Sequence, residues 1–215
     1  MDYVCEVHSH LLKQKEISDQ LLFYPNSSLY VLGDQLRYIE HRFQENSGRS
    51  YHLVQIDSSD YLDKILENAK TGKTPMQLAS LIAGGDITEG EAREFIYELI
   101  NNQILVSAIE PAVTGEEYFQ TLLRKLKTLQ HTEKYVAQFE KVLEEFKKLT
   151  AESGDDKQKH YSNIVALLKE LDVTLHVKTL IQVDTYRPAT NAITRKIQDE
   201  LLQGASLLQL VTADS

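Results

Sequence analysis

Few residues of this chain have both the type and the spacing to do chemistry. His8 and His10 share a helical segment, but two residues of helix turn them about 200° apart, so they cannot close on one metal ion. His41, His52, His131, His160 and His176 stand singly, and the carboxylates between Glu116 and Glu152 interleave with lysines in the manner of a solvated helix face with i,i+4 pairs. There is no GxxxxGK phosphate loop, no GxSxG elbow and no HExxH pair. The one cysteine, Cys5, sits at a core position of a helical pattern and reads as packing. What remains is the chemistry of the backbone itself. "YHLVQI", Tyr51 to Ile56, reads as a strand that follows a polar loop, and a strand at a sheet edge offers unpaired N–H and C=O groups to an extended guest.

The elements that would position that strand are legible. Before it, "SLYVLGDQLRYIE" alternates apolar and polar residues on both sides of Gly33-Asp34, the pattern of a two-residue hairpin, and Gln44 to Ser50 is a turn-rich loop. Three antiparallel strands are therefore expected, followed by three helices. Ser58 or Ser59 caps the first, which carries Leu62, Ile65, Leu66 and Ala69 and stops at Gly72. Thr74 caps the second with Pro75 at its first position, and Gly84-Gly85 ends it. Thr88 and Glu91 make a capping box for the third, expected to run on through "NNQILVS" with Ile96, Leu99, Ile100 and Ile104 along one face.

Residues 1–27 form a leading segment, helical from Asp2 to Leu22, whose start without a cap fits a piece of a longer polypeptide. Residues 28–107 make a winged-helix-like module. Residues 108–215 are a mostly helical half. In it Phe119, Leu122, Leu123, Leu126 and Leu129 make one stripe and Val136, Phe139, Leu143, Phe146 and Leu149 another. A late strand is expected near 173–184, and a last helix carries Ile193, Ile197, Leu201 and Leu208. The fold class is α+β and helix-rich.

The totals agree with a folded, water-soluble chain expected in the cytoplasm. Of 215 residues, 42% are hydrophobic and 26% charged, and no apolar run approaches the ~20 residues that cross a bilayer. The formal charge of −9 opposes phosphate binding. The same conflict is sharper locally, because Asp57 to Val106 holds nine acidic residues against four basic ones, and a recognition helix bearing Glu89, Glu91, Glu94 and Glu98 meets DNA with the wrong sign. A strand-then-helix module of this kind either reads DNA with its last helix or captures a peptide along its sheet edge, and the charge favours capture. Whether the chain's own helices cover the edge is left open by pattern alone.

The residues also carry a resemblance. "FYPNSSLYVLGDQLRYIE", then "LINNQILVSAIEPAVTGEEYFQTLLRKL", then "LIQVD", in this order over nearly the whole chain, resemble the amino-terminal region of LanB-type lanthipeptide dehydratases. The resemblance implies part of an enzyme that transfers glutamate from glutamyl-tRNA to Ser and Thr of a precursor peptide and then eliminates it. It implies a RiPP recognition element that holds the precursor's leader peptide as an added strand. On that basis Arg49, Tyr51, His52, Leu53, Val54, Gln55 and Ile56 would contact the leader, with Glu94 and Tyr97 on the opposing helix. Arg49 and His52 would meet leader acids, or serve as ordinary surface. Asp184 would help shape the glutamylation site, or simply cap its strand. No cofactor is expected on this segment, whose partners would be the leader peptide and the rest of the dehydratase, with tRNA as co-substrate only through the complete enzyme. The alternative is a non-catalytic interaction protein that uses the same edge for another peptide.

Overall fold

The structure, a computed structural model, describes residues 2–44, 48–111, 117–151, 156–177, 180–181 and 194–212. It divides into two units, Met1–Leu180 and Ile181–Ser215. The second unit's described element is one helix, Arg195–Thr212, on which Ile197, Leu201 and Leu208 recur on one face.

In the first unit, α1 (Asp2–Lys13) and the single turn α2 (Lys15–Ser18) bury Tyr3, Cys5, Val7, Leu11 and Ile17. The chain then extends as β1 (Phe23–Pro25), β2 (Tyr30–Leu32), β3 (Gln35–Gln44) and β4 (Gly48–Asp57). The helices α3 (Asp60–Ala69), α4 (Pro75–Ile82) and α5 (Glu89–Asn101) follow, then β5 (Leu105–Ser107), α6 (Tyr118–Leu126), α7 (Glu133–Ala151) and α8 (Asp156–Lys169). The architecture is α+β and helix-rich, with a three-stranded antiparallel sheet followed by three helices.

The helix starts follow the capping residues. Ser59 Oγ accepts from Leu62 N, and full capping boxes form at Thr74/Gln77 and Thr88/Glu91. Gly33 turns the β2–β3 hairpin at φ +63, a conformation glycine reaches without steric cost. Gly72 combines a φ of +75 with a close approach, since a Cβ there would lie 2.6 Å from the Tyr24 ring.

Two sheets form. In the larger the order is β2-β3-β4, with Tyr30 opposite Arg37 and Ile39 opposite Leu53. In the smaller, β1 pairs with β5, so that Phe23 meets Ser107. Sequence pattern placed Phe23–Pro25 at the end of a leading helical segment. Instead these residues leave the helix and join a strand some eighty positions away, while Phe23 also exchanges backbone bonds with Lys73. Phe23, Tyr38, Ile65, Leu78, Ile96 and Leu105 are fully buried around this junction, each side chain worth about 1.5–3 kcal/mol by area.

In the helical half the buried stripe of α7 is Tyr135, Gln138, Phe139 and Val142, with the Phe139 ring edge-on to Phe119 at 4.8 Å. Val136, Leu143, Phe146 and Leu149 are only half-buried beside it. Residues 173–177 and 180–181 form no strand, and the rest of the expected late strand, Asp184 included, lies outside the described residues. Among the described residues no helix is long and apolar enough to cross a membrane.

Candidate functional site

The two long strands have very different outer edges. Beyond its short pairing with β2, β3 is sealed by side chains. Ile39 N donates to Ser28 Oγ (2.9 Å) and Ile39 O accepts from Asn26 Nδ2 (3.2 Å). His41 N donates to Gln103 Oε1 (3.0 Å), and Gln103 Nε2 donates to His41 O (2.8 Å), so one amide closes the strand as another strand would. Asn26 is itself held by Gln103 O (2.8 Å) and by the Ser28 hydroxyl, which donates to Asn26 Oδ1 (2.7 Å).

This seal settles which way every backbone group of the pair points. In an antiparallel strand the N–H and C=O of one residue face the same side, and the side alternates residue by residue. Ile39 and His41 face away from β4, so Tyr38 and Glu40 face toward it and exchange bonds with their register partners Val54 and His52. Tyr51, Leu53 and Gln55 then direct their backbone groups to the free side of β4. Among the described residues that side has no strand neighbour. Among the described residues nothing bonds to it.

Side chains divide by the same parity. Leu36 and Tyr38 are buried on the inner face with Val54 and Ile56 half-buried opposite, and Tyr38 Oη donates to Asn102 O at the end of α5 (2.7 Å). On the outer face Tyr51 is 66% exposed, Leu53 61% and Ile39 46%, so this surface is open to a guest. Arg37 Nε donates to Gln55 Oε1 (3.1 Å) across the pair, and His52 Nε2 meets Ser50 Oγ (3.0 Å). Arg49 stands opposite Phe43 in the register, its side chain lying outside the described residues.

Where β4 ends, a cleft of about 350 Å³ opens between the first turn of α3, the loop after α4 and the first turns of α5. Ser59, Tyr61, Ile82, Ile87 and Phe95 line it, with the carboxylates of Asp86 and Glu91. The Glu91 carboxyl is held below its ordinary range by the N–H and hydroxyl of Thr88. Glu94 is exposed on α5. Tyr97 lies about 200° around α5 from Phe95. Its hydroxyl donates to the Asp19 carboxylate, and Lys15 Nζ stands 5.2 Å from its ring centre. Burial, reinforced by Asp19, pushes the Tyr97 phenol up to about 12. The structure thus gathers Tyr51 to Ile56 on one edge but directs Tyr97 to the leading helices. The residues of α5 that line the cleft are Glu91 and Phe95. Phe95 is the aromatic that falls off the Ile96-Leu99-Ile100 stripe, and that misfit was its signal in the sequence.

Two other polar clusters are structural in geometry. The single nitrogen His8 Nε2 lies 2.9 Å from Ser107 Oγ and 3.2 Å from Glu110 Oε2, whereas a serine–histidine–acid relay needs the acid on the other ring nitrogen. Glu145 accepts from Lys148 Nζ (2.8 Å), His160 Nδ1 (2.8 Å) and Asn163 Nδ2 (2.9 Å), which together pull its carboxyl down to about 2 and tie α7 to α8.

A strand pair sealed on one side and open on the other, set before three capped helices, belongs to a known family. Residues 1–215 match the lantibiotic dehydratase N-terminal family throughout, and the chain is a member of it. Among curated relatives it is 24% identical over 163 residues to the epidermin biosynthesis protein EpiB of Staphylococcus epidermidis, covering 74% of this chain and 16% of that protein. Among solved structures it superposes on the tRNA dependent lantibiotic dehydratase MibB from Microbispora sp. 107891 with a TM-score of 0.61, over 80% of this chain and 17% of that one. At 12% identity the second likeness is one of fold. The chain spans about one sixth of the length of either relative.

Proposed function

We propose that this chain is the segment of a lanthipeptide dehydratase that binds the precursor's leader peptide by β-strand addition. The sheet and three helices act as a winged-helix RiPP recognition element, and β4 takes the leader along the backbone groups of Tyr51, Leu53 and Gln55. The observation that carries this reading is the contrast of edges. Three side chains close β3, whereas among the described residues nothing covers β4, the longer exposed run, although an uncovered edge invites aggregation. A guest strand would place alternate side chains over Tyr51 and Leu53 on one face and beside Val54 and Ile56 on the other, while the cleft at Tyr61 and Phe95 receives the residue that runs past Asp57.

The chemistry belongs to the complete enzyme in this reading. Glutamyl transfer from tRNA and elimination at Ser or Thr take place on the remainder of the polypeptide, Asp184 contributing to the shape of that site, and the acidic segment described here binds neither tRNA nor a cofactor by itself. The setting is the cytoplasm, where precursor and charged tRNA are made.

Amide hydrogen exchange on the isotope-labelled chain tests the proposal. Without peptide, the N–H groups of Tyr51, Leu53 and Gln55 should exchange rapidly and those of His52, Val54 and Ile56 slowly. A leader peptide from a precursor encoded beside the dehydratase should protect the first set and leave the second unchanged. Protection of all six in the free chain, or of none of the first three at saturation, refutes the proposal.

A further inference from the structure

Resting on the strand-addition reading, the geometry points to the kind of leader this edge selects: one that carries Lys or Arg next to an apolar residue, at the end that passes Asp57 and enters the cleft. The lining of that cleft combines apolar Tyr61, Ile87 and Phe95 with acidic residues. Asp86 and Glu91 stand on the lining itself, and Asp57 ends the strand two residues before Ser59, which also lines it. Asp60 and Asp63 in the first turn of α3, and Glu89 in that of α5, add to the same sign.

The opposing charges are fewer. The N-termini of α3 and α5 each present about half a positive charge, which the acids of their own first turns already outweigh. Lys64 donates through Nζ to Leu81 O (2.6 Å) at the end of α4. Arg93 acts on Tyr97, on the side of α5 away from Phe95. An acidic guest side chain would therefore lose its hydration against like charges, whereas the stem of a lysine or arginine can lie along Tyr61 with its head among the carboxylates. Tyr61 is 51% exposed, which leaves its ring free for that contact.

The test is a display library of random 12-residue peptides selected on the 215-residue chain and counter-selected on its Leu53→Pro variant, so that only binders needing the β4 edge survive. Survivors should show Lys and Arg beside an apolar residue about threefold above the input library, with Asp and Glu depleted there. For a resynthesised survivor, replacing that Lys by Gln should weaken binding about fivefold to the parent chain and hardly at all to Asp86→Asn, because a rim pair is worth about that much. Survivors without basic bias, or a Lys→Gln change that costs the same on both chains, overturn the charge selection while leaving strand addition intact. If no peptide distinguishes the parent from Leu53→Pro, the open edge itself is refuted and this inference falls with it.

Discussion

Leu53 and Val54 are neighbours on one strand, yet proline should act on them in opposite ways. The Leu53 N–H faces the free side of β4, so Leu53→Pro removes no bond of the folded chain, and its side chain is already 61% exposed. Proline at an edge position whose N–H faces solvent is the tolerated case, and the cost is about 1 kcal/mol from pulling φ toward −65°. Val54→Pro instead deletes the bond from Val54 N to Tyr38 O and part of a half-buried side chain, which together should cost about 3 kcal/mol or more. Binding should show the reverse weighting. A guest carbonyl that finds no donor at position 53 forfeits about 1–3 kcal/mol, or about 5- to 150-fold in affinity. Urea unfolding followed by helix ellipticity, and fluorescence anisotropy with a labelled leader peptide, measure the two quantities on the same preparations. Two results would refute the reasoning: Leu53→Pro binding as tightly as the parent, or Leu53→Pro losing as much stability as Val54→Pro. The second would mean that the backbone parity deduced from the β3 seal is wrong.

Gln103→Leu should lose about 1–2 kcal/mol in urea unfolding, because its two hydrogen bonds to the His41 backbone are lost, and Gln103→Glu, which keeps the acceptor and drops the donor, should fall between. Equal stability of all three proteins would show that water replaces the seal at no cost. Glu145 governs an acid transition. Its carboxyl is held down to about 2 in the folded chain, so its contribution is fully present above the ordinary carboxylate range near 4.5 and is lost as pH falls from there toward 2. Glu145→Gln should therefore flatten the dependence of melting temperature on pH across that window, and an unchanged slope would refute the assignment.

Much of this molecule was local and therefore readable along the chain. Capping residues act within three or four positions, which is why Ser58 or Ser59, Thr74 and Thr88 marked three helix starts, the first resolved to Ser59 by the fold, and Gly33-Asp34 placed the hairpin for the same reason. The apolar residues of "YHLVQI", coming after a polar, turn-rich loop, were enough to name the strand. The segments that carried the family resemblance, "FYPNSSLYVLGDQLRYIE" and "LINNQILVSAIEPAVTGEEYFQTLLRKL", contain residues whose role no local pattern shows. In the folded chain Asn26, Ser28 and Gln103 are the seal on β3, and Tyr38 pins the sheet to the end of α5.

Other features depended on contacts between distant positions. No pattern near Phe23–Pro25 indicates a strand, since its partner Leu105–Ser107 lies about eighty residues on and each three-residue strand is stable only because the other is there. The resemblance put Glu94 and Tyr97 on the groove wall, and only the packing of the folded chain turned Tyr97 toward Asp19 and Phe95 toward the cleft. Most consequential is the edge itself. Sequence determines that β4 is a strand, but a backbone group is open or closed according to what the rest of the chain brings beside it. Among the described residues three polar side chains close β3 and none closes β4, which is why β4 is the edge proposed for a guest strand.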